Sequence, residues 1–125
     1  MSGRVNGMLW LLLALLARPA EAATCRVTDG DSLVCGQERV RIAGLDAPEL
    51  HGRCPQETAL ARQARSRMRS LVARGVTLHP QGRDRYGRLL AVVVDARGTD
   101  VARIMIAEGL ARPYHGEHRR GWCGR

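Results

Sequence analysis

Between residues 55 and 74, Leu60, Ala64, Met68, Leu71 and Val72 recur at helical spacing and form one apolar face. The arginines at 62, 65, 67, 69 and 74 fall largely elsewhere, as a solvated face. Pro55 stands where its missing N–H costs nothing, and Gly75 stands where a helix stops, so the spacing predicts a helix over 55–74. The other apolar runs are shorter. The stretch "TCRVTDGDSLVCG" reads strand, turn, strand, with strands over 23–28 and 32–35. Residues 39–45 read as a third strand with Val40, Ile42 and Leu45 as its apolar members and Gly44 as a bulge or bend. A fourth strand covers 76–79 and is ended by Pro80; after the turn-rich "QGRDRYG", residues 88–95 ("RLLAVVVD") form the most apolar strand of the chain. A second helix is expected over about 100–108, capped by Thr99 or Asp100 and stopped by Gly109, before an extended piece at 110–114. Five short strands, with one helix after the third and another after the fifth, predict an α+β fold: a small β-barrel with helices, of the five-stranded OB type.

One apolar run does not belong to this pattern. "MLWLLLALLA", residues 8–17, follows Arg4, is too short to span a membrane, and is followed by Pro19 and the small residues Ala20 and Ala22. These features predict a signal peptide over residues 1–22 and a single exported domain over 23–125. All four cysteines lie in that domain, and an oxidising compartment makes disulfides the default. Cys25 and Cys35 are equally far from Gly30, so a hairpin makes them cross-strand neighbours; Cys54 is then left to pair with Cys123. Such a long staple suits a chain with no phenylalanine to bury. A zinc site built from His115, His118 and Cys123 would need Cys123 unpaired.

Charge narrows the class of partner. The chain carries a formal net charge of +8, or +7 once Arg4, Arg18 and Glu21 leave with residues 1–22. A basic exported domain is attracted to polyanions such as nucleic acid. Every basic residue is arginine, which suits bidentate phosphate contact and equally follows from a GC-rich genome.

The acidic residues bear on chemistry. Asp29, Asp31, Asp46 and Glu49 stand at loop positions bordering strands. If the first hairpin pairs with the third strand, Asp31 at its tip approaches Asp46, and two such carboxylates want a hard divalent cation, Ca²⁺ or Mg²⁺. Pro48 rigidifies the turn that presents Glu49. Arg41 lies five residues before Asp46, and Arg88 opens the most apolar strand. A cation beside two forked guanidiniums would suit a phosphodiester, with a carboxylate to position or deprotonate water.

The blocks "VTDGDSLVC", "RVRIAGLDAPE" and "DRYGRLLAVVV", in that order, together with the helix and "GLARPY", resemble the staphylococcal (micrococcal) nuclease family of OB-fold domains over nearly all of residues 25–114. The resemblance implies that Asp31 and Asp46 bind Ca²⁺ through carboxylates and Ala47 through its backbone carbonyl. It implies that Glu49 acts on the attacking water, that Arg41 and Arg88 grip the scissile phosphate, and that Tyr86 and Tyr114 help to hold the nucleotide. The implied activity is cleavage of DNA and RNA with little sequence preference, favouring single strands and leaving 3′-phosphates. Against the family's pattern the fold is expected to be shortened at the C-terminus, the Cys54–Cys123 bridge fixing a short tail in place of a long helix. The expected partners are DNA and RNA, with no membrane after signal cleavage, and the expected form is a secreted or periplasmic monomer. The alternative is a non-catalytic OB-fold module that binds single-stranded nucleic acid, against which two tyrosines and one tryptophan beyond residue 22 offer few stacking platforms.

Overall fold

The structure, a computed structural model, describes residues 19–124. Within them the chain runs β1 (Glu21–Ala23), β2 (Cys25–Asp29), β3 (Ser32–Cys35), β4 (Glu38–Ile42), β5 (Gly44–Asp46), α1 (Pro55–Val72), β6 (Val76–Arg83), β7 (Leu89–Val94), α2 (Val101–Ala107) and β8 (Arg112–Tyr114). Six strands form one curled sheet in the order β1-β6-β7-β4-β3-β2, and β5 pairs with β8 beside it. All pairings are antiparallel except β4 with β7. This is the expected α+β, OB-like half-barrel with two helices, with eight strands among the described residues where the pattern predicts five.

The extra strands have local causes. The predicted third strand breaks after Ile42, because Ala43 turns its N–H to Ala91 O (2.7 Å) and Gly44 takes φ 92°, a conformation that a side chain would strain. Beyond that bend, β5 leaves the large sheet and pairs Gly44, Leu45 and Asp46 with Tyr114, Pro113 and Arg112. The first predicted strand likewise divides at Thr24, and Glu21 to Ala23 pair with β6. Of the predicted signal peptide, residues 1–18 lie outside the described residues; Glu21 and Ala22 lie in β1.

Pro80 does not end the fourth strand, which continues to Arg83. Its partner Ala91 directs its carbonyl to Ala43, on the side away from β6, so Pro80 occupies a position where β7 asks for no N–H. On its other side β1 has already stopped opposite Leu78. A bulge between Pro80 and Gly82 then restores the register.

The core is aliphatic. Leu33, Val40, Ile42 and Leu45 meet Leu78, Leu89, Ala91 and Val93 from the sheet, with Ala64, Met68 and Val72 of α1 and Val101, Ala102 and Met105 of α2. The buried face of α1 is turned slightly from the predicted one: Ala61 is buried where Leu60 was expected, and Glu57 joins it in the first turn. Gly75 bonds back to Val72 O at the end of α1, and Asp100 caps α2 by accepting from Ala102 N.

Both predicted disulfides are formed: Cys25–Cys35 across the first hairpin, where the two residues are register partners, and Cys54–Cys123 across a separation of 69 residues. Cys123 is therefore not available to a zinc site with His115 and His118. The chain-entropy account makes the longer loop the more valuable one. Cys54→Ser/Cys123→Ser is expected to lose about 4 kcal/mol and Cys25→Ser/Cys35→Ser about 3 kcal/mol. Urea unfolding of the two variants beside the oxidised wild type measures both, and a larger loss from the hairpin bridge would contradict the ordering.

Candidate active site

The Asp-Gly-Asp turn is pressed into the body of the protein. A Cβ on Gly30 would stand 2.9 Å from the Ala47 Cβ and 3.0 Å from the Ala64 Cβ, so only glycine lets the hairpin tip lie so close to α1 and to the end of β5. The tip is also tied to the break in the third strand, since Ile42 N donates to Asp31 O at 3.0 Å. Asp31 is thereby 8 % exposed, its Oδ2 accepting from Ala47 N (3.1 Å) and its Oδ1 from Ser32 Oγ (3.2 Å). Asp46, at the end of β5, is 3 % exposed.

Arg41 lies between the two aspartates. Its neighbours Val40 and Ile42 point into the core, so the alternation of β4 turns the arginine to the other face. Its Nη1 donates to Ile42 O (2.8 Å), Leu45 O (3.0 Å) and Asp31 O (3.5 Å), and its Nη2 lies 3.6 Å from Asp31 Oδ2 and 3.8 Å from Asp46 Oδ1. The guanidinium sits 5.7 Å from the Tyr114 ring. The predicted approach of Asp31 to Asp46 is thus present, with Arg41 bridging it.

Arg88 is aimed by a residue that the sequence pattern did not single out. Asp84 accepts from the backbone N–H groups of Tyr86 and Arg88, both at 2.9 Å, and from Arg88 Nε at 2.7 Å. Burial would raise the Asp84 carboxyl, but these donors and the Arg88 charge hold it below the usual aspartate range. Tyr86, exposed beside it, has the Arg88 and Arg85 guanidiniums 5.5 and 5.0 Å from its ring. The only sequence trace of this arrangement was the turn-forming "DRYGR" spacing.

Arg41, Arg88, Tyr86 and Tyr114 line one cleft of about 870 Å³, with residues 115–119 also in its lining. Arg119 is the second residue that sequence reasoning missed. Its Nη2 lies 2.8 Å from Asp46 Oδ1 and 2.5 Å from Glu49 Oε1, which connects Glu49 to the group. Asp46 Oδ1 faces two guanidiniums, Arg119 Nη2 at 2.8 Å and Arg41 Nη2 at 3.8 Å. Burial raises the Asp46 carboxyl above its ordinary value, against the pull of Arg119, and the charge of Asp31 adds to the rise. Asp29 belongs to the same field: burial lifts it to about 6, against a 2.8 Å bond from Gly30 N, with Asp31 and Glu49 repelling it. Four carboxylates have been gathered where their charges are felt mutually. A site of this kind attracts cations.

Ala47 is buried, with its N–H committed to Asp31. Glu49 is held from behind by Glu57, a buried acid in the first turn of α1 whose oxygens accept from Glu49 N and Arg53 N, each at 3.0 Å.

Comparison with known proteins gives the family. The model of the family described as Staphylococcal nuclease homologue matches residues 39–121. The chain belongs to this family. It is 33 % identical over 119 residues to an "Uncharacterized endonuclease" of Haemophilus influenzae, covering 88 % of this chain and 63 % of that one. A protein of the same description from Escherichia coli O157:H7 is 35 % identical over 94 residues, 71 % of this chain and 58 % of its own. The "Succinoglycan biosynthesis protein ExoI" of Rhizobium meliloti is 35 % identical over 95 residues, 68 % of this chain and 48 % of its own. The chain therefore spans between about half and two thirds of the length of these relatives.

Glu57 offers a test of how the Glu49 segment is held. Burial alone would raise its carboxyl, but the two backbone donors and the charges of Arg53 and Arg119 outweigh that and keep it below the ordinary glutamate value of 4.5. A depressed carboxyl contributes stability above its unfolded pKa that is lost as the pH falls through the lower folded one. Glu57→Gln is expected to cost about 1–3 kcal/mol at neutral pH. It should also flatten the loss of stability below pH 4.5. Urea midpoints of both proteins across the acid range check this, and parallel acid limbs would show that Glu57 does not carry the effect.

Proposed function

We propose that this protein is an exported, Ca²⁺-dependent nuclease that hydrolyses phosphodiester bonds of DNA and RNA with little sequence preference, favouring single strands and leaving 3′-phosphates. The observation that carries this reading is Arg41: one guanidinium faces both Asp31 and Asp46 and also lines the cleft shared with Arg88. The endonuclease descriptions of two relatives point the same way.

The donor set fits a hard cation. Asp31 and Asp46 offer carboxylate oxygens in a buried setting, Asp46 Oδ1 is met by the Arg119 and Arg41 charges that a cation could replace, and the Ala47 carbonyl would supply a third oxygen. When bound, Ca²⁺ would add positive charge beside the phosphate oxygens. A different cluster, Cys54, Glu57 and Cys123, also brings potential ligand atoms together, but both of its sulfurs are consumed in the disulfide.

The remaining roles belong to the chain's own groups. Arg41 and Arg88 bind the scissile phosphate and stabilise the charge that builds on it, their planar forks matching two oxygens at once. Asp84 keeps Arg88 aimed into the cleft. Glu49 orients the attacking water and accepts its proton. Tyr86 and Tyr114, both lining the cleft, hold the nucleotide. Two disulfides suit a secreted or periplasmic location, and no described helix is long and apolar enough to cross a membrane. A protein this small is expected to act as a monomer.

Incubation of the oxidised protein with denatured DNA, in Ca²⁺ or in chelator, tests the reading. Cleavage is expected only with Ca²⁺. Glu49→Gln should reduce turnover by about 10²–10⁴-fold, and Arg88→Lys by about 10²-fold or more because lysine lacks the two-pronged contact. Folded protein that binds the strand but does not cut it in Ca²⁺ would instead identify a nucleic-acid-binding module.

A further inference from the structure

Among the described ion pairs, Arg119 stands with Arg41 rather than with the surface bridges: each sets one nitrogen between two carboxylates, Arg119 at 2.8 and 2.5 Å and Arg41 at 3.6 and 3.8 Å. Arg67 meets Glu108, and Arg83 meets Glu38, with two nitrogens on two oxygens at 2.8 Å, the paired fork geometry of a lasting bridge. Arg119 instead places a single nitrogen, Nη2, between the carboxylates of two different residues, Asp46 and Glu49. A point charge shared by two carboxylates is the geometry that a cation can take over.

The main chain beside Arg119 is fixed even though its head group is not enclosed. Arg112 Nη1 donates to Arg120 O (3.3 Å) and Gly121 O (2.7 Å), and its guanidinium lies 3.8 Å from the centre of the Trp122 ring. Cys123 is bonded to Cys54, whose neighbour Arg53 shares Glu57 with Glu49. The tail and the Glu49 segment are thus fastened to the same few residues. The Arg119 side chain is 46 % exposed and borders the cleft, so it has open space to enter if it leaves the carboxylates.

We propose that Arg119 is the resident counter-ion of Asp46 and Glu49, held there by the Cys54–Cys123 bridge, and that a divalent cation entering the site must displace it. This rests on the calcium reading above. Cation affinity is then set by the tail as well as by the carboxylates, and the bridge lowers that affinity by keeping a competing charge in place.

Calorimetric titration of Ca²⁺ into the oxidised protein, without nucleic acid, measures this directly. Arg119→Gln is expected to bind Ca²⁺ about tenfold more tightly. Arg62→Gln, which removes the same charge from an exposed position on α1, should change affinity by less than about twofold. Arg119→Lys, keeping the charge with a single donor head, should fall between wild type and Arg119→Gln, and it carries the comparison if the glutamine variant does not fold. Cys54→Ser/Cys123→Ser should tighten binding and add little to Arg119→Gln. Equal or weaker binding by the Arg119 variants, with the wild type binding normally, overturns the counter-ion role and leaves the calcium reading standing. Tightening by Arg119→Gln but not by loss of the bridge overturns the tethering. Absence of Ca²⁺ binding by every protein overturns the calcium reading and this inference together.

Discussion

A strand that bends away from its sheet leaves carbonyl groups without ladder partners, and here one guanidinium answers for them. Arg41 donates to Ile42 O and Leu45 O on either side of the bend and reaches Asp31 O on the neighbouring hairpin. The same head group faces the Asp31 and Asp46 carboxylates. The hairpin tip, the exit from β4 and the start of the β5–β8 ribbon are therefore joined through one side chain. Its two terminal nitrogens divide this work, Nη1 on the carbonyls and Nη2 toward the carboxylates, whereas an ammonium has one nitrogen for both. What fixes the fold at this corner also supplies the positive charge that makes a cluster of acids tolerable.

The rest of the protein is built to keep that corner still. With no phenylalanine in the chain, the core is filled by aliphatic side chains, alanines and two methionines. Alanine at 61 and 64 lets α1 lie close to the sheet, and Gly30 lets the hairpin tip come closer still. Close approach by small residues buries little area per side chain. The two covalent links offset part of that deficit by limiting the unfolded chain. Surface pairs such as Arg67–Glu108 are exposed and contribute little beside them.

Features governed by neighbours in sequence were legible in the chain. The hairpin, its cysteine pair, the extent of α1, the Asp100 cap and the bend at Gly44 all follow from local spacing or from the conformational needs of one residue. So did the meeting of Asp31 with Asp46, because a hairpin and one pairing rule placed them together. Features decided by distant partners were not legible. Pro80 looked like a strand end because nothing local says that β7 directs Ala91 toward β4. Leu60 looked buried because the helical pattern cannot tell which flank of α1 meets the sheet, and nothing local marks Glu57 as a buried acid. Arg119 was one arginine in a basic tail, and only the fold brings it across 70 residues of chain to Glu49.

The unequal spans of the two disulfides also fix an order of events. Cys25 and Cys35 are separated by 10 residues and by a single turn, whereas Cys54 and Cys123 are separated by 69. Both pairs meet an oxidant only in the compartment where disulfides form, and there contact across so short a loop, reached in about 10–100 ns, recurs more often than contact across the long one. Of the three ways to join four cysteines, closure of the hairpin removes two at once. Cys54 is then left with only one possible partner, so the short loop settles the pairing of the long one.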